Sequence, residues 1–202
     1  LNVAYESFDP LTGVFDQDTF FKIARMLIDG NSDGYYVFSF LNIDNFKIIN
    51  DRFGIGVGDA VLKYVASVIK DFAAAAGGIC GRLFADNFAL LYPHSCVESK
   101  EMNDAHERIH HPDALSQPIR LRTGRYFVEN KDDSVMTMFD RARIAANFVR
   151  NSYDKEISVF DKDMLDHLIR RQLIVENMNT ALASGEFKLF FQPQYNHATG
   201  AI

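Results

Sequence analysis

Residues 35–50 read YYVFSFLNIDNFKIIN. Tyr35 to Leu41 are almost wholly apolar, aromatic or β-branched, which predicts a central strand buried on both faces. Asn42, Asp44, Asn45, Lys47 and Asn50 follow at once. Polar groups at the carboxyl end of a buried strand occupy the place where open α/β sheets hold ligands. The same residues would also serve as a polar turn that ends a strand.

On the amino-terminal side, DPLTG at 9–13 combines Pro10 and Gly13 in a turn-forming run. Asp16 is placed to cap a helix whose apolar residues Phe20, Ile23, Ala24 and Leu27 recur three and four apart. NSDG at 31–34 ends that helix before the strand. On the carboxyl side, a short helix is expected around 45–53. GIGVGD then sets Gly54, Gly56 and Gly58 ahead of a longer helix striped by Val61, Leu62, Val65, Val68, Ile69 and Phe72. AAAAGG at 73–78 stops it.

ICGRLFADNFALLY, residues 79–92, reads as two strands joined through Ala85 to Asn87. A helix over 98–111 stops at HHPD. His110 and His111 cannot share a helix face and have no cysteine nearby, so they read as solvent-exposed rather than as metal ligands. IRLRTGRYFV at 119–128 is a strand whose Arg120, Arg122 and Arg125 fit an exposed sheet face. A helix over 134–150 packs through Met138, Ala142, Ala145, Ala146 and Val149, and residues 155–160 form a short last strand. Strands interleaved with helices predict an α/β (α+β) architecture: a ferredoxin-like, mainly antiparallel central sheet with helices covering one side. A boundary is expected near Asp161. A helix over 164–183 and a strand, EFKLFFQPQY at 186–195, come after it.

The 202 residues carry 21 Lys and Arg against 27 Asp and Glu, a net charge of -6. That balance argues against holding nucleic acid by its backbone, but not against a small nucleotide. Two cysteines, Cys80 and Cys96, form neither a disulfide framework nor a zinc spacing, so a reduced, cytoplasmic setting is expected. No apolar run is long enough to cross a bilayer. The absent initiator methionine and the end at Ile202 suggest a piece of something longer, in which membrane or sensor segments would lie elsewhere.

DPLTG at 9–13, NIDNFKIIND at 42–51, FGIGVGDAVL at 53–62 and RLFADNF at 82–88 occur in an order that resembles the bacterial GGDEF domain, the diguanylate cyclase family. GEFKLFFQPQYNHATGAI at 185–202 is similar to the opening of an EAL domain, the cyclic di-GMP phosphodiesterase family. The resemblance implies a degenerate GGDEF domain over 1–161, then a linker helix and the truncated start of an EAL domain over 162–202.

In the first family an acidic residue, a backbone carbonyl and a hairpin acid hold magnesium. Those positions fall here on Asn42, Ile43 and Asp86. Asn42 offers a neutral carbonyl where magnesium prefers charge, and Asp86 is shorter than the glutamate often found there. Phe84 and Ala85 replace two glycines that let the backbone approach the nucleotide, and Asn87 replaces an acid. Asn50 and Asp59 match residues that bond the guanine edge, and Lys47 matches one near the phosphates. Asp59 would alternatively cap a helix starting near Ala60, with Asn50 satisfying a turn. Asn147 and Asn151 stand where a lysine and an arginine flank the triphosphate, with Arg150 one position out of register. The RxxD element of product inhibition is replaced by AAAAGG.

The resemblance therefore implies a catalytically impaired regulatory or dimerisation module. Its expected ligand is GTP, with weakened Mg2+ binding, and its expected partners are a downstream EAL domain and a second copy of the chain. A weakly active diguanylate cyclase and a nucleotide-independent interaction scaffold are the alternatives.

Overall fold

The computed structural model describes residues 6–31, 34–110, 119–149, 156–193 and 197–199. Its centre is the strand quoted above. β1 (Tyr36–Ile43) pairs antiparallel with β3 (Asn87–Pro93) on one side and with β4 (Leu121–Phe127) on the other. β2 (Ile79–Phe84) extends the sheet beyond β3, and β5 (Ile157–Val159) runs parallel to β4 at the opposite edge. The order β2-β3-β1-β4-β5 contains the interleaved crossovers of a split βαβ unit, as the ferredoxin-like expectation requires. Tyr35 stays outside the ladder and is 75% exposed.

The helices that precede and follow these strands are α1 (Gln17–Gly30), α2 (Phe46–Phe53), α3 (Ile55–Ala76), α4 (Lys100–His110) and α5 (Val135–Val149). They cover both faces of the sheet, not one. Val37, Leu41, Leu90 and Tyr92 pack against the stripe of α3 and against Ala105 and Ile109 of α4. Phe38, Phe40, Ala89 and Tyr126 pack against Phe20, Ala24 and Ile28 of α1 and Met138, Phe139 and Ala142 of α5. The two-residue alternation of β1 makes this possible, because both of its faces are apolar. Phe20 meets Phe38 edge to face at 5.7 Å on one side, and Phe72 meets Tyr92 at 5.2 Å on the other.

Local chemistry explains most of the ends. Asp16 caps α1 by accepting the Thr19 N–H at 2.9 Å, an interaction worth about 1 kcal/mol. Ser134 Oγ accepts the Thr137 N–H at 3.0 Å at the start of α5. Gly54, at φ +86°, turns the chain between α2 and α3. The latter helix begins at Ile55, so Gly56 and Gly58 lie inside it and do not precede it. Asp59 is therefore in the second turn of a helix whose N-cap is Gly54, and the capping alternative for Asp59 fails.

The exposed-face expectation for β4 is also corrected. Arg125 is 8% exposed and Arg122 is largely covered. They alternate to opposite faces of the strand, Arg125 to the face that α4 covers and Arg122 to the side of Asn42 and Asp44. The chain divides into two compact units, residues 1–164 and 165–202. Helix α6 (Lys162–Ala183) carries no buried residue. After it, Gly185 sits at φ +75°, and residues 186–193 form no strand. Phe187, Leu189 and Phe191 alternate as expected, but a ladder requires a partner for its N–H and C=O groups, and the described residues supply none. Their side chains are 60%, 88% and 91% exposed. The rest of the expected strand, at 194–195, lies outside the described residues.

Candidate functional site

The polar end of β1 meets the β2–β3 hairpin, and there Asn42, Ile43 and Asp86 come together. Asn42 stands opposite Asn87 on β3 and Arg122 on β4. Its amide nitrogen donates to Asp86 Oδ2 at 2.8 Å and to Asn87 Oδ1 at 2.9 Å. Its side-chain carbonyl oxygen, the only side-chain atom Asn42 could offer a metal ion, accepts from Arg122 Nη2 at 2.6 Å. Arg122 Nε also lies 3.1 Å from Asp44 Oδ1. A guanidinium thus stands at the oxygen where a divalent cation would sit, and hydrogen bonds to charged groups of this kind contribute about 1.5–3 kcal/mol. The Ile43 backbone is held beside the hairpin by its N–H to the Asp86 carbonyl at 3.3 Å.

Burial pushes the Asp86 carboxyl above its ordinary value, against the opposing pull of the Asn42 amide and the Arg122 and Arg82 guanidinium groups. One raised carboxylate, a backbone segment and an amide oxygen already taken by an arginine do not fit Mg2+, which asks for several hard, charged or freely orientable oxygens.

The hairpin itself is fastened from beneath. Arg82 donates from Nη1 to both oxygens of Asp9, at 3.0 and 3.2 Å, and from Nε and Nη2 to the Ala85 carbonyl at 2.9 and 2.7 Å. Asp9 also accepts from the N–H and hydroxyl of Thr12, at 2.9 and 2.6 Å. Burial raises its carboxyl, but the Thr12 and Arg82 bonds outweigh that and hold it below the ordinary value. DPLTG and RLFADNF are thereby one structural unit. Ala85 takes the left-handed conformation at φ +49°, which glycine adopts without strain. Phe84 turns outward and is 51% exposed. Asn87 is buried and closes the turn by donating to the Phe84 carbonyl at 3.1 Å.

A second polar feature lies between α2 and α3. Asn50 Oδ1 is buried and finds no hydrogen-bond partner. It presses on Gly58, where an added Cβ would stand 1.8 Å from it. The side chain therefore does not satisfy a turn, and a buried acceptor without a donor costs about 1–3 kcal/mol. Asp59, partly covered, follows Gly58 on the same helix, while Lys47 is exposed on α2. Asn147 is exposed near the end of α5, and Arg150 and Asn151 lie outside the described residues.

Arg122, Arg82 and Asp44 were not singled out as site residues from sequence. Arg122 is itself the β4 partner of Asn42; register, not composition, reveals it. Cys80 is buried, with its thiol pushed up to about 12 by burial, so it is chemically quiet.

A family model described as "Diguanylate cyclase, GGDEF domain" matches residues 6–153. Among curated proteins, y4lL of Sinorhizobium fredii (strain NBRC 101917 / NGR234) is 27% identical over 168 residues, 80% of this chain and 20% of its own length. The biofilm architecture maintenance protein MbaA of Vibrio cholerae is 25% identical over 206 residues, covering 93% of this chain and 25% of MbaA. That likeness runs past residue 153. The chain therefore spans a quarter or less of these relatives. Among solved structures, the GGDEF domain of TpbB (YfiN) from Pseudomonas aeruginosa superposes with a TM-score of 0.67 at 21% identity, over 80% of this chain and 99% of that one. This last likeness is one of fold.

Proposed function

Since the chain belongs to the GGDEF domain family of diguanylate cyclases, we propose that it is a catalytically impaired GGDEF module of a cyclic di-GMP signalling protein. In this reading it binds GTP without turning it over and biases a downstream EAL phosphodiesterase domain. The observation that carries the impairment is the 2.6 Å bond from Arg122 to the Asn42 carbonyl oxygen. It occupies one lone pair of the neutral oxygen that replaces the family's carboxylate and puts positive charge where the cation belongs. A second cation there would meet like-charge repulsion in a partly covered setting.

GTP recognition is supported by the orphaned Asn50 Oδ1. A guanine edge offers N–H donors, and an acceptor already desolvated without a partner gains a bond when the Asn50 side chain turns off Gly58 toward the ligand. Asp59, freed from a capping role by the early start of α3, is the natural second acceptor for the same edge. The EAL partner rests on the motif GEFKLFFQPQY at 185–195.

Isothermal titration of the chain with GTP, with and without magnesium and with ATP as control, tests the reading. Saturable binding that prefers GTP, persists without magnesium and is lost in Asn50→Ala and Asp59→Ala is expected. No saturable heat would remove the nucleotide pocket and leave a coupling scaffold. Retention of Asp86 favours a second reading, a weak cyclase. It requires cyclic di-GMP formation that rises with protein concentration, because two domains must meet, and no product at high protein and magnesium would end it.

A further inference from the structure

A cluster of metal-binding side chains lies on α4 and at the entry to β5, and it shares no residue with the groove around Asn42 and Asp86. His106 and His110 are one helical turn apart, so their rings project from the same face. The ring centroids are 4.3 Å apart. Glu156 meets both: its Oε2 lies 3.3 Å from His106 Nε2 and 2.9 Å from His110 Nε2. All three ligand atoms fall within 4.8 Å of one another.

Glu156 is not a loose surface carboxylate. Its backbone carbonyl accepts the Thr123 N–H at 2.8 Å, and its other oxygen, Oε1, accepts from Arg120 Nε at 3.2 Å. Arg120 thereby fixes the carboxylate so that Oε2 faces the imidazoles, the part that outer partners play around metal-binding carboxylates. Side-chain exposures of 46% for His106, 18% for His110 and 25% for Glu156 leave one side open. A tetrahedral zinc ion with ligands at about 2.0–2.2 Å needs ligand atoms roughly 3.3–3.5 Å apart. The two separations from Glu156 Oε2, 3.3 and 2.9 Å, require only a small opening, and the imidazole nitrogens, within 4.8 Å of each other, are in reach of the same ion. Without a metal ion, two imidazoles aimed at one carboxylate oxygen must each bring a proton to it; a dication satisfies all three lone pairs with none.

We propose that His106, His110 and Glu156 are a zinc site, with water in the fourth position, that clips α4 to the start of the edge strand β5. Histidine and carboxylate ligands with an open position suit Zn2+ over the all-oxygen preference of Mg2+. The site requires neither GTP binding nor cyclase activity.

The test is calorimetric titration of the whole chain, stripped of metal by a chelator, with Zn2+ near neutral pH in the presence of excess Mg2+. One zinc per chain is expected, with a higher Tm that the chelator reverses. His106→Ala, His110→Ala and Glu156→Gln should each weaken binding by about tenfold or more, and Asp86→Asn and His167→Ala should leave it unchanged. Co2+ should give the visible absorption of a tetrahedral site in the parent chain and lose it in His106→Ala. Because His106 is half exposed, that variant should keep the metal-free Tm, so its loss of binding cannot be ascribed to misfolding. Absence of saturable zinc uptake would overturn the proposal, as would uptake that all three substitutions leave intact or that Asp86→Asn removes.

Discussion

Arg122 and Asn42 illustrate how one pair sets the chemistry of a site. Asn42→Asp alone should not recover magnesium binding, because the new carboxylate would form an ion pair with the guanidinium already beside it. Asn42→Asp combined with Arg122→Ser should, giving a magnesium-dependent heat that neither single variant shows. Equal behaviour of the single and double variants would sink that argument. Asp86 makes a different prediction. Burial raises its carboxyl, so its contribution to stability is greatest below the unfolded value of 3.8 and is lost as pH rises through the folded value. Asp86→Asn should therefore raise Tm at neutral pH by a few degrees at most and narrow the gap toward acid. Asp9 has the opposite sign: its lowered carboxyl stabilises above the unfolded value and ceases to do so as pH falls through the folded one. At Ala85, φ +49° costs about 1–2 kcal/mol, more than the roughly 0.4–1 kcal/mol of unfolded-chain entropy that glycine adds. Ala85→Gly should stabilise by about 0.5–1 kcal/mol in chemical denaturation.

Between elements, two glycines separate packing from recognition. At Gly124, α5 lies directly on β4, and a Cβ would stand 1.9 Å from the Ala142 carbonyl and 2.3 Å from the Ala146 nitrogen. Backbone on both sides cannot yield, so Gly124→Ala should cost about 1–3 kcal/mol, read as a lower denaturation midpoint. At Gly58 the obstacles are side chains: the Asn50 amide, which can rotate, and the Phe46 ring edge at 3.3 Å, which needs to give by a few tenths of an ångström. Alanine is also the better helix former by up to about 1 kcal/mol. Gly58→Ala should thus hold or raise stability while displacing Asn50 and weakening GTP binding. A variant that binds GTP normally would show that Asn50 is not the contact.

Across the molecule, the two compact units differ in kind. Residues 1–164 enclose two apolar layers on either side of one sheet. The described residues of 165–202 expose Leu173, Ile174, Phe187, Leu189, Phe190 and Phe191, an apolar set of the kind that favours association. Ending the chain after Met164 should leave Tm within about 2 °C, since α6 buries no residue of its own, and should lessen concentration-dependent association in analytical ultracentrifugation. A large fall in Tm would mean that the second unit contributes to the stability of the first.

The sequence by itself determined the elements whose causes are local. A run of aromatic and β-branched residues made β1, apolar spacing made α1, α3 and α5, Asp16 made a cap, and the ordered motifs pointed to the family. Strand edges and helix starts moved by a few residues, as at Ile55, because glycine permits a turn without requiring one. Only the tertiary structure decided who meets whom. Arg82 finds Asp9 across 73 positions and Arg122 finds Asn42 across 80, and Glu156 arrives at a pair of histidines on another element. Arg122 and Arg125 of β4 fall on opposite faces by alternation, but that one meets an asparagine and the other lies under α4 depends on sheet register and helix packing. Periodicity states which face a residue is on; the partner on that face comes from long-range pairing, which no local pattern encodes.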